Sequence, residues 1–324
     1  MDGILVIDKP PGITSHDAVS RVRRILKTRR VGHTGTLDPF ATGVLVVLIG
    51  KATRLAQFVD KDEKEYDALI QFGWETDTGD VTGNAERGTG GKAERGTGGN
   101  AERGTRNAES EVERILGATD WEGVLAKFRG EILQTPPMYS AKKVQGKKLY
   151  ELARAGETIE RKPIEITIHQ LEILPDELRI PRSEFRVGSS AFRIKVVCSA
   201  GTYIRTLAED IGREIGVGAH LTELRRTRAG RFAIGDALTL DELEKLEDPS
   251  TALRPITEAV GHLRAITLAP DRAAKAKDGL STRVSDDGLV DREFVRILDG
   301  PAELIAIGVY DTDEKSVKPK IVLV

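Results

Sequence analysis

Asp38 is the residue of this chain whose type and setting best suit chemistry. It lies in the run GHTGTLDPFATGVL, residues 32–45. Pro39 fixes its own φ and disfavours the helical region for the residue before it, so Asp38 is held extended. Gly35 and Gly43 bracket the carboxylate and leave room for a bulky group near the backbone. Such a carboxylate suits nucleophilic or acid/base catalysis, although Asp-Pro alone is also a common turn opener.

The elements around this loop must position the carboxylate. Residues 44–49 form a buried apolar strand, and residues 3–7 form another. Ser15 is placed to cap a helix whose apolar face contains Ala18 and Val22. The other face of that helix and the turn after it are basic and contain no acid: Arg21, Arg23, Arg24, Lys27, Arg29 and Arg30. Such a run is usual on a solvated helix face, but its position just before the loop favours phosphate contact.

Composition excludes several classes of protein. The net charge of −2 over 324 residues is not that of a polycation that coats nucleic acid. Cys198 is the single cysteine, so neither an intrachain disulfide nor a thiolate cluster can form. The chain has no GxxxxGK loop and its five histidines do not pair at ligand spacing, so we expect no nucleotide cofactor and no metal. With no apolar run long enough for a membrane span or a signal peptide, we expect a cytoplasmic protein.

The order of elements predicts an α+β fold with a mixed or antiparallel sheet. Strands are expected at residues 66–73, 164–174 and 192–198. Helices are expected after a cap at Asp120 and around an apolar stripe that contains Ile204 and Leu207. Strands and helices alternate without a regular βαβ order, which argues against a parallel sheet.

Three copies of an eight-residue repeat interrupt this pattern: AERGTGGK, AERGTGGN and AERGTRNA, residues 85–108. The repeat contains no aromatic and no large aliphatic residue, so it cannot bury enough surface to offset the entropy of ordering. We therefore predict a disordered insert at 81–112 that acts as a neutral spacer.

From residue 263 the chain changes to short apolar runs among charges and glycines, at 294–298, 304–310 and 321–324. Small β-barrels have such sequences. The predicted organisation is a domain at 1–262 that carries the insert and a small β-barrel domain at 263–324.

Six segments in order resemble the bacterial tRNA pseudouridine-55 synthases of the TruB-type family. They are GILVIDKPPGITSHDAV, the loop at 32–45, EYDALIQFGWETDTGD, QTPPMYSAKKVQGKKLYELARAG and the pair CSAGTYIRTLAEDIG and GAHLTELRRTRAGRF. The resemblance implies a pseudouridine-synthase domain followed by a PUA-like RNA-binding domain.

The resemblance also implies roles for individual residues. It makes Asp38 the nucleophile and Arg205 its cationic partner, which should lower the carboxylate pKa because burial alone would raise it. It places Tyr66 against a flipped base, with Tyr203 and Leu224 as further pocket walls. His33 is expected to contact RNA near the vacated position, and Lys9 to support the loop. Taken singly, each aromatic or leucine is more usual as core packing.

The implied activity is isomerisation of uridine 55 in the T loop of tRNA, without cofactor, guide RNA or membrane, by a monomer. RNA should be read through shape and phosphates, along a groove that also contains the following basic residues: Lys142, Lys143, Lys147, Lys148, Arg225, Arg226, Arg228 and Arg231. Two alternatives stay open: a guide-dependent synthase acting on ribosomal RNA, and a tRNA-folding chaperone without required chemistry.

Overall fold

The protein is described by a computed structural model that covers most of the chain. The described residues are 1–59, 61–88, 100–140, 143–144, 147–148, 159–174, 190–284, 288–301 and 303–324. Lys142, from the expected basic groove, lies outside them.

Strands make up most of the N-terminal part. In chain order they are β1 (Gly3–Lys9), β2 (Val31–Thr34), β3 (Thr42–Ile49), β4 (Lys64–Phe72), β5 (Trp74–Thr76), β6 (Ala85–Arg87), β7 (Gly130–Gln134), β8 (Lys143–Val144), β9 (Lys147–Lys148), β10 (Ile164–Ile173), β11 (Ala191–Cys198), β12 (Ala219–Ala229), β13 (Phe232–Ala233) and β14 (Leu238–Thr239). The α-helices of the described residues are α1 (Ser15–Ile25), α2 (Ala56–Val59), α3 (Asn100–Ala118), α4 (Trp121–Ala126), α5 (Ile204–Glu214), α6 (Leu240–Lys245) and α7 (Pro270–Lys277).

A ten-stranded mixed sheet is the centre of this part, with the main order β14-β1-β3-β12-β4-β11-β10-β7. β2 pairs with β3, and β13 pairs with β12. Most neighbours are antiparallel, while β12 runs parallel to β3 and β14 parallel to β1. The predicted α+β fold with a mixed or antiparallel sheet is therefore confirmed.

The two faces of the sheet bury different partners because side chains alternate along each strand. On β1, Leu5 and Ile7 pack in a core that includes α1 and α5, whereas Ile4 and Val6 face a second core. That second core includes residues of the C-terminal part, among them Ile307. The C-terminal part thus packs directly on the sheet that carries the Asp38 loop.

Helix capping was predicted correctly at one helix and incorrectly at another. The Asp120 side chain accepts a hydrogen bond from the Gly123 N–H and caps α4, as expected. In α1 the cap is Thr14, whose side chain accepts from the Asp17 N–H while Asp17 accepts from the Thr14 N–H. Ser15 is the first helical residue instead, and its hydroxyl is used by the loop that carries Asp38.

The insert predicted at 81–112 contains regular elements in the parts that the structure describes, while its disorder stays a prediction. β6 pairs with β5, and α3 begins at Asn100 inside the third repeat copy. The reason is tertiary packing: Val112, Ile115 and Leu116 in the second half of α3 pack on the main core, so they anchor a helix that extends back into the repeat. Residues 89–99 lie outside the described part of the chain.

The C-terminal part contains β15 (Arg264–Leu268), β16 (Thr282–Arg283), β17 (Phe294–Asp299), β18 (Glu303–Asp311) and β19 (Ser316–Val322). They form one five-stranded sheet in the order β15-β17-β18-β19-β16. The sheet curls into half a barrel, which is consistent with a PUA-like domain. The strands expected at 294–298 and 304–310 are confirmed. The boundary at 262/263 stays a prediction.

Gly43 is where β3 and β12 come closest, and it provides a stability prediction. Its φ is +98°, and a Cβ built there would lie 2.2 Å from the Arg226 carbonyl oxygen. We expect Gly43→Ala to lower the free energy of unfolding by roughly 2–4 kcal/mol, because it adds backbone strain and a backbone overlap.

Gly279→Ala is the matched control for that substitution in urea unfolding. Gly279 also has a positive φ, of +79°, but a Cβ there would meet nothing within 4 Å. The free energy of unfolding of Gly279→Ala should therefore fall only by the cost of backbone strain, about 1–2 kcal/mol. Equal losses in the two variants would contradict the argument from close approach.

Candidate active site

The loop that carries Asp38 is fixed on both sides of that residue. Before it, the Ser15 hydroxyl accepts a hydrogen bond from the Leu37 N–H at 2.9 Å and donates to the Leu37 carbonyl at 3.1 Å. After it, the Pro39 carbonyl accepts from the Gly12 N–H at 2.9 Å and from Lys9 Nζ at 3.2 Å. The carboxylate therefore projects from a rigid turn.

Lys9 lies beneath this turn and is fully buried. Besides Pro39, its ammonium donates to the carbonyls of Pro10 and Ile13, at 2.8 and 2.9 Å. Burial lowers the pKa of Lys9 to about 8, although the Asp38 carboxylate nearby favours the charged form. Lys9 thus contacts the loop and not the cleft above it.

Arg205, at the start of α5, forms a bidentate pair with Asp38. Its Nε lies 2.9 Å from Asp38 Oδ2, and its Nη2 lies 3.1 Å from Oδ1. The other guanidinium donors bind the carbonyls of Thr78 and Tyr139, both at 2.7 Å. Only 4% of the Arg205 side chain is exposed, so the guanidinium is immobilised, whereas the Asp38 side chain is 34% exposed and open to solvent.

Asp80 is a second carboxylate beside Arg205 that the sequence reasoning did not assign. Its Oδ2 lies 3.7 Å from Arg205 Nη1, and 6% of its side chain is exposed. Oδ1 accepts from the Thr78 hydroxyl and the Thr82 N–H, both at 2.9 Å. Asp80 is the last residue of EYDALIQFGWETDTGD, one of the segments that carry the family resemblance. This position is the sequence signal that could have identified it. One guanidinium therefore lies between two carboxylates.

The electrostatic balance at Asp38 differs from the expectation. Desolvation in the cleft is the largest effect and raises the pKa of the carboxyl, while Arg205 opposes it and Asp80 adds to it. The net result is a pKa above the ordinary value for aspartate. Arg205 lowers the pKa as predicted, but burial outweighs it because an anion loses more hydration than one guanidinium restores.

A cleft of about 470 Å³ opens above Asp38. Its walls include six of the seven residues singled out from the sequence: His33, Asp38, Tyr66, Tyr203, Arg205 and Leu224. Tyr66 is 8% exposed on β4. Tyr203 precedes α5, and its backbone is held at both N–H and C=O by the Gln134 amide, at 2.8 and 3.0 Å. The tertiary structure thus brings residues from four separate segments to one cavity.

Arg226 has a different place from the one expected. It is 1% exposed, and it donates to the carbonyls of Val44 and Gly35, both at 2.7 Å. Burial raises the pKa of the nearby Tyr66 hydroxyl, and the charge of Arg226 opposes this rise. The space that Gly35 and Gly43 leave is occupied by Arg226 rather than by an incoming ligand. This arginine ties the Asp38 loop to the wall of the cleft, which it also lines.

The expected basic groove is also largely neutralised along β12. Arg225 pairs with Asp8 at 2.7 Å, and Arg228 pairs with Glu63 and, at 3.4 Å, with Glu65. The acidic partners of these two arginines come from β1 and from residues at and just before the start of β4, while the groove itself stays a prediction. The side chains of Lys143, Lys147 and Lys148 lie outside the described residues.

Comparison with known proteins defines the class. A family model described as TruB family pseudouridylate synthase (N terminal domain) matches residues 23–204. A second, described as tRNA pseudouridylate synthase B C-terminal domain, matches residues 205–261. The class that these matches define is the pseudouridylate synthases.

Individual relatives agree with this class. The chain is similar to the tRNA pseudouridine synthase B of Geobacillus thermodenitrificans, with 40% identity over 94% of this chain and 91% of the relative. It is similar to the enzyme of the same name from Solibacter usitatus, with 44% identity over 76% and 73%. The chain belongs to the TruB family.

A solved structure shares the fold at greater distance. It is described as an H/ACA ribonucleoprotein bound to a substrate RNA containing 2′-deoxyuridine. The matching chain is 26% identical with a TM-score of 0.67, over 99% of this chain and 85% of that one.

Proposed function

We propose that this protein isomerises uridine 55 in the T loop of tRNA to pseudouridine, with Asp38 as the nucleophile. The observation that supports this most directly is the bidentate pair of Asp38 and Arg205, with the carboxylate open to a cleft of about 470 Å³. A pocket of this size suits one nucleoside. We propose tRNA as the substrate because the relatives at 40% and 44% identity are named tRNA pseudouridine synthase B.

The reaction breaks the bond from ribose C1′ to uracil N1 and forms a bond from C1′ to C5. The Asp38 carboxylate attacks the nucleoside, either at C1′ or at the base, and the bond from C1′ to N1 breaks. The uracil then rotates and C5 bonds to C1′. The bond to Asp38 breaks before the product leaves, C5 loses its proton, and N1 gains one directly or through solvent. No electron or group is exchanged with a cosubstrate. The step needs an ionised carboxylate, which the immobilised guanidinium of Arg205 favours.

The uridine must leave its stack to reach this carboxylate, which costs a few kcal/mol. An aromatic face can recover about 1–3 kcal/mol, and Tyr66 is the residue we assign to that contact. Tyr203 and Leu224 enclose the base from other sides, and His33 at the rim contacts the RNA that the uridine has left. Lys9 holds the loop without touching the substrate.

We propose that the protein acts on the T arm as a monomer and needs no guide RNA. The relatives matched over most of their length are named as tRNA enzymes, while the similar ribonucleoprotein chain is only 26% identical. In the part of the chain that the structure describes, the helices are too short or too polar to cross a lipid bilayer.

The direct experiment is incubation of the purified protein with unmodified tRNA, followed by carbodiimide modification and primer extension to map pseudouridine. We expect one stop, at position 55, and the same product on an isolated T-arm stem-loop. Modification only in the presence of added guide RNA, or at other positions alone, would contradict the proposal.

A further inference from the structure

An open notch of about 480 Å³ lies at the end of α1, away from the cleft. It is lined by Arg23, Arg24, Lys27, Thr28 and Arg29. Four of these five residues are cationic. The notch is therefore a concave site whose chemistry suits an anion.

These cations differ from most arginines of the sheet in having no acidic partner. Among the described residues, no carboxylate lies within salt-bridge distance of the four. Arg21, one turn earlier in α1, pairs with Asp241 at 2.6 Å, and Arg193 pairs with Asp67 and Glu223. Arg23 uses Nη2 to hold the Val31 carbonyl at 2.7 Å, while its enclosed Nε has no hydrogen-bond partner in the described part. The positive charge of the notch is thus not neutralised by neighbouring acids.

The end of α1 adds an independent observation. The Thr28 N–H donates to the Arg23 carbonyl and the Lys27 N–H to the Arg24 carbonyl, which is a Schellman motif. Lys27 occupies its left-handed position with φ +49°, where glycine would be free of strain. The helix dipole favours cations in the last turn, which accounts for Arg23 and Arg24, but not for a strained lysine beyond it or for Arg29.

We propose that this notch binds the phosphodiester backbone of the tRNA stem next to the T loop, an inference that rests on the proposed function. The notch lies at the start of β2 and His33 near its end, so the two sites are about 10 Å apart along the strand. A tRNA stem that extends from the cleft past His33 would reach the notch within its first base pairs. Such contacts fix the register of the RNA without reading its sequence.

Lys27→Gly tests the proposal because it removes the cation and the backbone strain together. The expected result is a tRNA Kd higher by about threefold to tenfold at low salt, and a slope of log K against log salt shallower by about 0.7–0.9. The unfolding midpoint should stay the same or rise, so weaker binding cannot be attributed to a damaged fold. The pair Arg24→Gln and Arg29→Gln should reduce the slope further.

Arg292→Gly is the matched control. Arg292 also has a positive φ, of +62°, and is exposed, but Asp291 lies 3.9 Å from its guanidinium and Glu293 follows it. Its replacement should give a similar change in the unfolding midpoint, which measures what relief of backbone strain does without loss of a notch cation. An unchanged slope in both notch variants overturns the inference. Absence of pseudouridine formation by the parent protein, measured in parallel, would instead contradict the proposed function.

Discussion

Asp38→Asn is expected to abolish pseudouridine formation while leaving tRNA affinity within about twofold of the parent protein. Asparagine has the same shape but no negative charge to attack the nucleoside, and loss of a nucleophile costs roughly 10⁴-fold or more in turnover. Binding should persist because phosphate and shape contacts supply most RNA affinity. Single-turnover assays with labelled tRNA and filter binding under the same conditions measure both quantities.

Asp120→Asn is the control for this substitution. Asp120 caps α4, and asparagine caps helices about as well, so this variant changes one charge without changing the fold. It should keep parental turnover. Measurable turnover in Asp38→Asn at more than a hundredth of the parental rate would exclude Asp38 as nucleophile. Retention of tRNA folding by the inactive variant would show that a chaperone activity coexists with the chemistry.

Arg205→Ala is expected to reduce turnover by about 10²–10³-fold, with a smaller effect on tRNA binding. Among the described residues it removes the only guanidinium that contacts Asp38, and it leaves the half-buried Asp38 and the buried Asp80 without their shared cation. Loss of one partner of a buried pair costs about 3–5 kcal/mol, so the variant should also be less stable. An unchanged catalytic rate would refute the pairing.

The pH profile separates the electrostatic role of Arg205 from a structural one. Asp38 must be ionised to react, and its pKa is already above the ordinary value, so parental activity should fall as pH drops through that raised pKa. Arg205 lowers the pKa, so its removal should move this acid limb to higher pH. A limb at the same pH in parent and variant, with only the maximal rate reduced, would contradict the electrostatic argument.

Two further variants control for charge and for folding. Arg205→Lys keeps a cation but loses the planar fork, so its acid limb should move less than that of the alanine variant while turnover still falls. Arg213→Ala removes a 57% exposed arginine of the same helix that pairs with Glu209 and Asp210. It should change stability by less than about 1 kcal/mol and leave turnover and pH profile unchanged.

Some features of this protein follow from short stretches of sequence. The strands at β1, β3 and β11, the cap at Asp120 and the rigid turn at Asp38 were predictable because each depends on residues within one or two turns of chain. The insert shows the limit of this reasoning. Its repeat has no aromatic or large aliphatic residue, yet α3 begins inside it because Val112 and Leu116 beyond the repeat pack on the core.

Charge was harder to interpret than hydrophobicity. The sequence has a basic run at Arg225, Arg226 and Arg228. In the fold, Asp8 and Glu63 form ion pairs with the first and the last, and carbonyl groups accept hydrogen bonds from Arg226. These partners are more than 160 residues away along the chain. The run at the end of α1 is also basic, but its cations have no acidic partner among the described residues. A sequence shows how many charges a segment has, while the fold decides which of them meet an opposite charge.

By itself the sequence determined the turn at Asp38, the alternation of the strands and the family, because these depend on local backbone preference and on residue order. Only the tertiary structure decided the bidentate geometry by which Arg205 binds Asp38 across 167 residues, that Asp80 shares this arginine, and that burial raises the carboxyl pKa despite the pair. The physical reason is that desolvation and Coulomb interactions depend on distance and burial in space, which the packing of the sheet against α1 and α5 sets.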